Sequence, residues 1–471
     1  MAKKKDRWLM PTNTDNLRMM IAQGLISSPD GFKKYYSDVL ELFIGYIPLF
    51  KNRIQPDILS SVISETEGLT QCILEFDLTL IEGLGKTIDG NDLVDIKLED
   101  VESDTIDMLL ILAPIPISCI SKVIFKTNVD KKTFEEDAGL YSNVPLNELK
   151  LHYTKADQKL FEAKADITDY PIDKLKNMEL EIVKDIDYNK IYAFGGMLAN
   201  LFYFAKNGVI SNDAFLSCSL DERIATEHDF SYITNYFYSS EELEYSKSLY
   251  NGIADIAARH NNFKEEIIEF LASNPKTVNI SNKLRTFDTI SDKPVSEEFS
   301  EAQTSLGKVL LMLFHRENTE ALMEYNLDIF TEEDYLTFAV IFGIRDKFIK
   351  VPKFLRESKD LQNFISIKMA NYAHTYLDSQ IKFKESRRPL TIMDMLKNDR
   401  FKEYFAKELK IENCFQTVVP KSDYRVVKGK PVFEGIIMPR FEILEEKYFK
   451  VMSTQIHTEY NKYLDKYNKV K

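Results

Sequence analysis

The chain has 471 residues, 44% apolar and 12% aromatic, which excludes a disordered polypeptide and exceeds what one hydrophobic core accommodates. Its net charge of −13 excludes a protein whose whole surface binds nucleic acid. The longest apolar run, Met108 to Ile120, is interrupted by Pro114 and Pro116 and falls short of the roughly 20 residues of a membrane-spanning helix. The basic start, MAKKKDRW, has no apolar region behind it, so a cytoplasmic protein without a secretory signal is expected. Cys72, Cys119, Cys218 and Cys414 form no CxxC pair and read as reduced thiols.

Taken in order, Trp8–Met10 predicts a short strand stopped by Pro11. Thr12 or Thr14 is placed to cap a helix whose first turn holds Asp15, with Leu17, Met20 and Ile21 on one face. Gly24 is placed to end that helix in a left-handed turn with Leu25 folding back. A second amphipathic run follows from Phe32 to Phe43, and Pro56–Glu67 reads as a short helix. Gln71–Leu80 alternates as a strand does, GLGKTIDGNDLVD reads as a polar loop, and Met108–Leu112 and Ile120–Lys126 read as strands. Glu135–Tyr153 reads as irregular.

Beyond Ala165 the period becomes helical. Tyr188–Lys206 is apolar nearly all round and stops at Asn207–Gly208, which predicts a central buried helix. Gly195–Gly196 within it predicts a close approach of another backbone, since each glycine costs about 1 kcal/mol relative to alanine there. Further helices are predicted at Glu241–Ala258, Phe263–Ala272, Glu298–Phe314, Glu332–Phe342 and Leu361–Tyr376. After a turn at Ser386–Thr391 come a helix at Ile392–Leu409, a hairpin about Lys428–Gly429–Lys430 and a long helix at Phe441–Tyr467. The expected class is α+β, predominantly helical. It divides into a mixed α/β domain over 1–155, a helical domain over 156–385 and a basic hairpin-plus-helix region over 386–471. From Ile381 onward 20 Lys and Arg face 13 Asp and Glu, a net +7, which leaves −20 on the rest of the chain.

Motifs with chemical content are sparse. Gly83-Leu84-Gly85-Lys86-Thr87 resembles the end of a phosphate loop, but the required earlier glycine is Leu80. The acids Asp89, Asp92, Asp95, Glu99, Asp100, Glu102, Asp104 and Asp107 read as a solvated acidic segment, because a calcium loop would need glycine where Val94 stands. Asp95-Ile96-Lys97 resembles the end of a nuclease metal motif. The six histidines lack zinc-ligand spacing, and Glu227-His228-Asp229 reads as a surface turn. No metal or cofactor is expected. Phe342–Asp346 reads as a helix ending on Gly343.

Residues 8–25 and 71–126, with their early strand running into a capped helix that ends in Gly-Leu and the later Pro114–Pro116 turn, resemble bacterial ADP-ribosyltransferase-like domains, including the DNA-targeting toxin group. At the positions where that family carries a nicotinamide-gripping His or Arg and a catalytic Glu stand Met10 and Met108, with Asp107 adjacent. The resemblance therefore implies a domain of that kind without its catalytic residues. Taken together, the expectation is a non-enzymatic subunit of a cytosolic bacterial multi-protein assembly, in an antiviral or nucleic-acid-processing setting. The alternatives are a divergent NAD-consuming transferase using Tyr35, Tyr36, Asp38 or Asp107, and a nuclease-like effector around Asp95 and Lys97.

The expected partners are other protein subunits, with nucleic acid as the competing partner of the basic region. There Lys382, Lys384, Arg387, Arg388, Lys397, Arg400 and Lys402 form a basic strip, interleaved with Phe383, Phe401 and Tyr404. The double change Arg387→Glu with Arg388→Glu separates these partners. The expected outcome is release of a protein partner with no change in nucleic-acid binding; salt-sensitive DNA or RNA binding that the double change abolishes would establish the competing partner.

Overall fold

A computed structural model describes residues 6–28, 43–63, 69–89, 92–101, 106–140, 154–162, 186–211, 214–215, 223–227, 240–259, 263–286, 305–315, 319, 330–348, 359–384, 425–427 and 430–432. The chain forms two compact units, 1–385 and 386–471. In the first, strands are β1 (Trp8–Asn13), β2 (Leu25–Ile26), β3 (Tyr46–Lys51), β4 (Gln71–Phe76), β5 (Ile81–Glu82), β6 (Leu84–Asp89), β7 (Asp92–Lys97), β8 (Met108–Leu112), β9 (Ile115–Pro116), β10 (Ile120–Phe125), β11 (Thr154–Ala156) and β12 (Lys382–Phe383). Its helices are α1 (Thr14–Gln23), α2 (Pro56–Ser60), α3 (Asn128–Leu140), α4 (Tyr188–Lys206), α5 (Arg223–Thr226), α6 (Ser240–Ala258), α7 (Phe263–Ala272), α8 (Val278–Thr286), α9 (Ser305–His315), α10 (Glu332–Asp346) and α11 (Lys359–Tyr376). The fold is α+β, a large mixed sheet with a helical region. Where the composition divides the chain near residue 155, the apolar core is continuous from strands to helices. In the second unit, β13 (Arg425–Val427) pairs with β14 (Lys430–Val432) through Val427 and Lys430, a hairpin about Lys428–Gly429. The expected helices there lie outside the described residues, as does the run from Phe32 up to Phe43.

Eight strands order as β11-β10-β4-β1-β3-β8-β6-β7, antiparallel throughout except for β10 with β11. β1 does not stop at Pro11 but runs on to Asn13, paired with β4 along its whole length. With β3, in contrast, it pairs only at Trp8–Lys51 and Leu9–Phe50. The phase of the ladder explains this. Lys51 N–H donates to the Asp107 carbonyl at 2.9 Å, toward β8, and Asn52 N–H donates to the Arg7 carbonyl at 2.7 Å, toward β1. Phe50 and Pro48 therefore turn their backbone toward β1, and Leu9 and Pro11 turn theirs toward β3. Continued by two residues, the register would set Pro11 against Pro48, and neither nitrogen carries a hydrogen. The sheet forks there, while the β1–β4 and β3–β8 ladders, which use the other backbone edges, are unbroken.

Asn13, not Thr12 or Thr14, caps α1: its side-chain oxygen accepts from Asn16 N–H at 2.9 Å while its amide donates to the Val62 carbonyl at 2.8 Å. Gly24 ends the helix in the left-handed region, φ 73°, and a side chain there would collide with Ser366 and Phe348. β4 ends at Phe76, where Asp77 caps a short 3-10 turn, instead of reaching Leu80. Residues 135–140, expected to be irregular, complete α3. α2 lies on the sheet face of Asn13 and Gln71, whose amides donate to Val62 and Leu59 carbonyls; α3 lies on the other, with Phe134 5.3 Å from Phe125.

α4 is buried along most of its length and packs on α10 and α11. At its crossing with α10 a Cβ on Gly196 would stand 2.6 Å from the Gly343 carbonyl oxygen, and one on Gly343 would overlap the Met197 nitrogen. Gly343 is thus a crossing point, not a terminus: α10 continues to Asp346, where Arg345 pairs with the Asp346 carboxylate at 2.6 Å and lies 3.9 Å from the centre of the Phe342 ring. The capping box of Thr331 and Asp334 starts the helix. α8, absent from the expected elements, packs on α7, where the Ser281 hydroxyl donates to the Ile268 carbonyl at 2.8 Å. Among the described residues no helix is long and apolar enough to cross a membrane.

His374, on α11, is 1% exposed and joins the helices to the sheet. Nε2 lies 2.9 Å from the Pro114 carbonyl oxygen and Nδ1 3.0 Å from Ser379 Oγ. A carbonyl only accepts, so Nε2 carries the proton and Nδ1 accepts from the serine. Burial pulls this imidazole down to about 4, against a partial opposing effect of the Pro114 hydrogen bond. The unfolded chain, with the ordinary value of 6.5, takes up this proton first, so stability is complete above pH 6.5 and falls as pH drops toward 4. About 3 kcal/mol is at stake over that window. Denaturant titrations from pH 7 to 4 should show that loss in the wild type and a shallower one in His374→Gln. At the helix crossing, Gly196→Leu should destabilise by about 1–3 kcal/mol, read as a lowered denaturation midpoint. An unchanged midpoint would show that α4 and α10 do not meet backbone to backbone.

Candidate interaction edge of the sheet

The segment expected to be a polar loop is a hairpin. Asp89 pairs with Asp92 across the two residues Gly90–Asn91, and Leu84–Asp89 alternates between inward and outward side chains. Aspartate-glycine-asparagine-aspartate between alternating runs is a hairpin signal, masked in the sequence by the glycines at 83, 85 and 90, which suggest a loop. β6 attaches to β8 at Lys86–Leu110, and the buried Thr87 hydroxyl donates to the Met108 carbonyl at 2.8 Å. β7 is then the last strand of the sheet.

Its phase is fixed at the base of the hairpin, where Leu98 N–H donates to the Gly83 carbonyl at 2.9 Å. Asp92, Val94 and Ile96 turn their backbone groups to β6, while Leu93, Asp95 and Lys97 turn theirs outward. Among the described residues no strand pairs on that outer side. Asp92, Val94, Asp95 and Lys97 are exposed. Lys86 reaches across to Asp95 at 3.0 Å, but the Asp95 side chain remains 59% exposed. Asp89, Asp92, Asp95 and Glu99 stand against Lys86 and Lys97, so the hairpin and its base are net acidic.

The opposite edge differs. β11 has three residues, and the charged side chains beside it are engaged: Lys155 with Asp157 at 3.1 Å, and Arg7 with Glu75 at 2.7 Å. Burial raises the pKa of the Glu75 carboxyl, but hydrogen bonds from Lys122 and Arg7 outweigh it and hold the group below its usual range. This cross-strand cluster, unmarked in the sequence because Arg7, Glu75 and Lys122 lie far apart in it, ties β1, β4 and β10 together.

Of the expected catalytic residues, Tyr35, Tyr36 and Asp38 lie outside the described residues. Asp107 is exposed at the start of β8, and its carbonyl accepts from Lys51. The register places Asp107 with Lys51 and Trp8 on the face that Met10 also occupies, while Met108 lies with Phe50 and Leu9 on the other. Met10 and Met108 therefore do not share a face. Lys382 and Lys384 belong to the first unit. Lys382 is exposed on β12 opposite Glu82, and Lys384 forms an ion pair with the Glu82 carboxylate. Arg387, Arg388, Lys397, Arg400 and Lys402 lie outside the described residues. The phosphate-loop resemblance falls on β6 and the nuclease resemblance on β7. Cys72 and Cys119 are free and buried, and burial pushes both thiols far up, which makes them poor nucleophiles. Among the described residues no three His, Cys, Asp or Glu side chains gather as a metal site would require. Compared with known proteins, the chain matches no family model, no curated protein and no solved structure.

Proposed function

We propose that the chain is a non-enzymatic, protein-binding subunit of a multi-protein assembly, and that the outer edge of β7 is where a partner docks. One observation carries the reading: a six-residue strand ends an eight-stranded sheet, no strand among the described residues pairs with its outward backbone groups, and Asp92, Val94, Asp95 and Lys97 on it are exposed. An exposed edge of that length is a template for strand addition, and natural sheets cover, shorten or charge such edges unless a partner uses them. Charged residues on β7 limit indiscriminate pairing and leave room for a specific one. The resemblance to toxin-type ADP-ribosyltransferase domains supports a defence or nucleic-acid-processing setting. A second reading, a divergent NAD-consuming transferase, is favoured by one feature, the exposed Asp107 carboxylate on the same face as Met10.

Leu93→Pro tests the docking edge. It removes an outward N–H and sets a ring in its place without touching the ladder to β6; Leu93→Val keeps the N–H and controls for lost packing. The wild type and Leu93→Val, purified from source cells, should migrate in a complex that Leu93→Pro leaves, all three melting at similar temperatures. A Leu93→Pro chain still in the complex overturns the docking edge. Nicotinamide release from NAD, expected to be absent, would favour the transferase if Asp107→Ala abolished it.

A further inference from the structure

The side chains of β7 specify what kind of strand it accepts. A strand added at an edge places each residue opposite one of β7, on the same face of the sheet. Asp92 and Val94 project to one face, Leu93, Asp95 and Lys97 to the other. Val94 is among the exposed large apolar side chains, and Leu93 is half-buried against the core. From this order we infer that β7 takes up an extended segment of a partner protein carrying Lys or Arg opposite Asp92 and Asp95, two apolar residues between them, and an acidic or polar residue opposite Lys97. The inference rests on the docking edge proposed above and adds the chemistry of its occupant.

Charge complementarity selects this occupant over others. Asp92 and Asp95 are both exposed, and Asp95 shares Lys86 without being buried by it. Basic residues opposite them would gain on both faces at once, while the outward-facing backbone groups of Leu93, Asp95 and Lys97 supply the directional bonds. A second copy of this chain is the poorer occupant. Two net-acidic hairpins would meet, and an antiparallel pairing centred on Asp95 would set that carboxylate against its own counterpart, an unfavourable cross-strand pair. Lys97 adds register and direction, because a slip of two residues would set the basic residue meant for Asp95 against it, and a reversed partner would take its acidic residue away from it.

The test uses the full chain and short fluorescent peptides read by anisotropy. One peptide carries Arg-Val-Val-Arg flanked by polar residues, a second replaces both arginines by glutamate, and a third is the first with backbone N-methylation at alternate amides. The first should bind, weakening by about tenfold between low and moderate salt and by about tenfold in Asp92→Asn with Asp95→Asn. The second and third should not bind. Equal binding of the glutamate or N-methylated peptide overturns basic strand addition, and so does a dimer of the chain that Leu93→Pro dissociates. If no peptide binds while Leu93→Pro still leaves the native complex, the partner chemistry is wrong and the docking edge stands. If Leu93→Pro also stays in the complex, both fall.

Discussion

The sheet depends on two residue pairs at its centre. β1 holds β4, β10 and β11 on one side, and β3 holds β8, β6 and β7 on the other, yet β1 and β3 meet only at Trp8–Lys51 and Leu9–Phe50. Pro11 and Pro48 prevent the next narrow pair from forming, since each points a nitrogen without hydrogen at the other strand. The hairpin of β6 and β7 is therefore the far end of an arm attached through β8 and β3. Charged side chains reinforce the join: Lys51 pairs with Asp6 at 3.1 Å, and Arg7 with Glu75 on the opposite face.

The helical region locks on where the strands give way to turns. Gly24 at the end of α1 admits Ser366 and Phe348, and the His374 imidazole bonds the Pro114 carbonyl beyond β8. Behind α11, α4 crosses α10 at contact distance because Gly196 and Gly343 leave backbone against backbone. These contacts use small or neutral groups in buried places, where a charged imidazole or a larger side chain would be costly. The exposed acidic and apolar residues of β7 lie outside that economy of burial. This contrast, a closed interior beside an open strand edge, underlies the reading of the chain as a binding subunit.

Much of the local structure was legible because it follows from short-range chemistry. The left-handed stop at Gly24, the strands at Met108–Leu112 and Ile120–Phe125, and the helix from Tyr188 to Lys206 with its glycine approach could be read from capping residues and apolar period. So could the hairpin about Lys428–Gly429. The departures share a cause: proline and glycine usually end or interrupt elements, and Pro11, Gly85 and Gly343 read in the sequence as such breaks. Each lies inside an element, because what matters is which neighbour the backbone faces there. Pro11 is harmless on the edge turned to the fork, and Gly343 is required where a helix crosses.

By itself, the sequence determined an α+β chain, the type of most elements and the segregation of acidic body from basic end, since propensity, period and charge are properties of neighbouring residues. Strand order was decided only by tertiary structure, because pairing partners such as Leu9 and Phe50, or Glu75 and Lys122, lie dozens of residues apart. The candidate site is of the same kind. Asp92, Val94 and Asp95 look in the sequence like part of a solvated acidic segment, and only the order β3-β8-β6-β7 makes them the open end of a sheet. His374 likewise gave no signal, because its partner is the carbonyl of Pro114, a backbone group that no side-chain motif records.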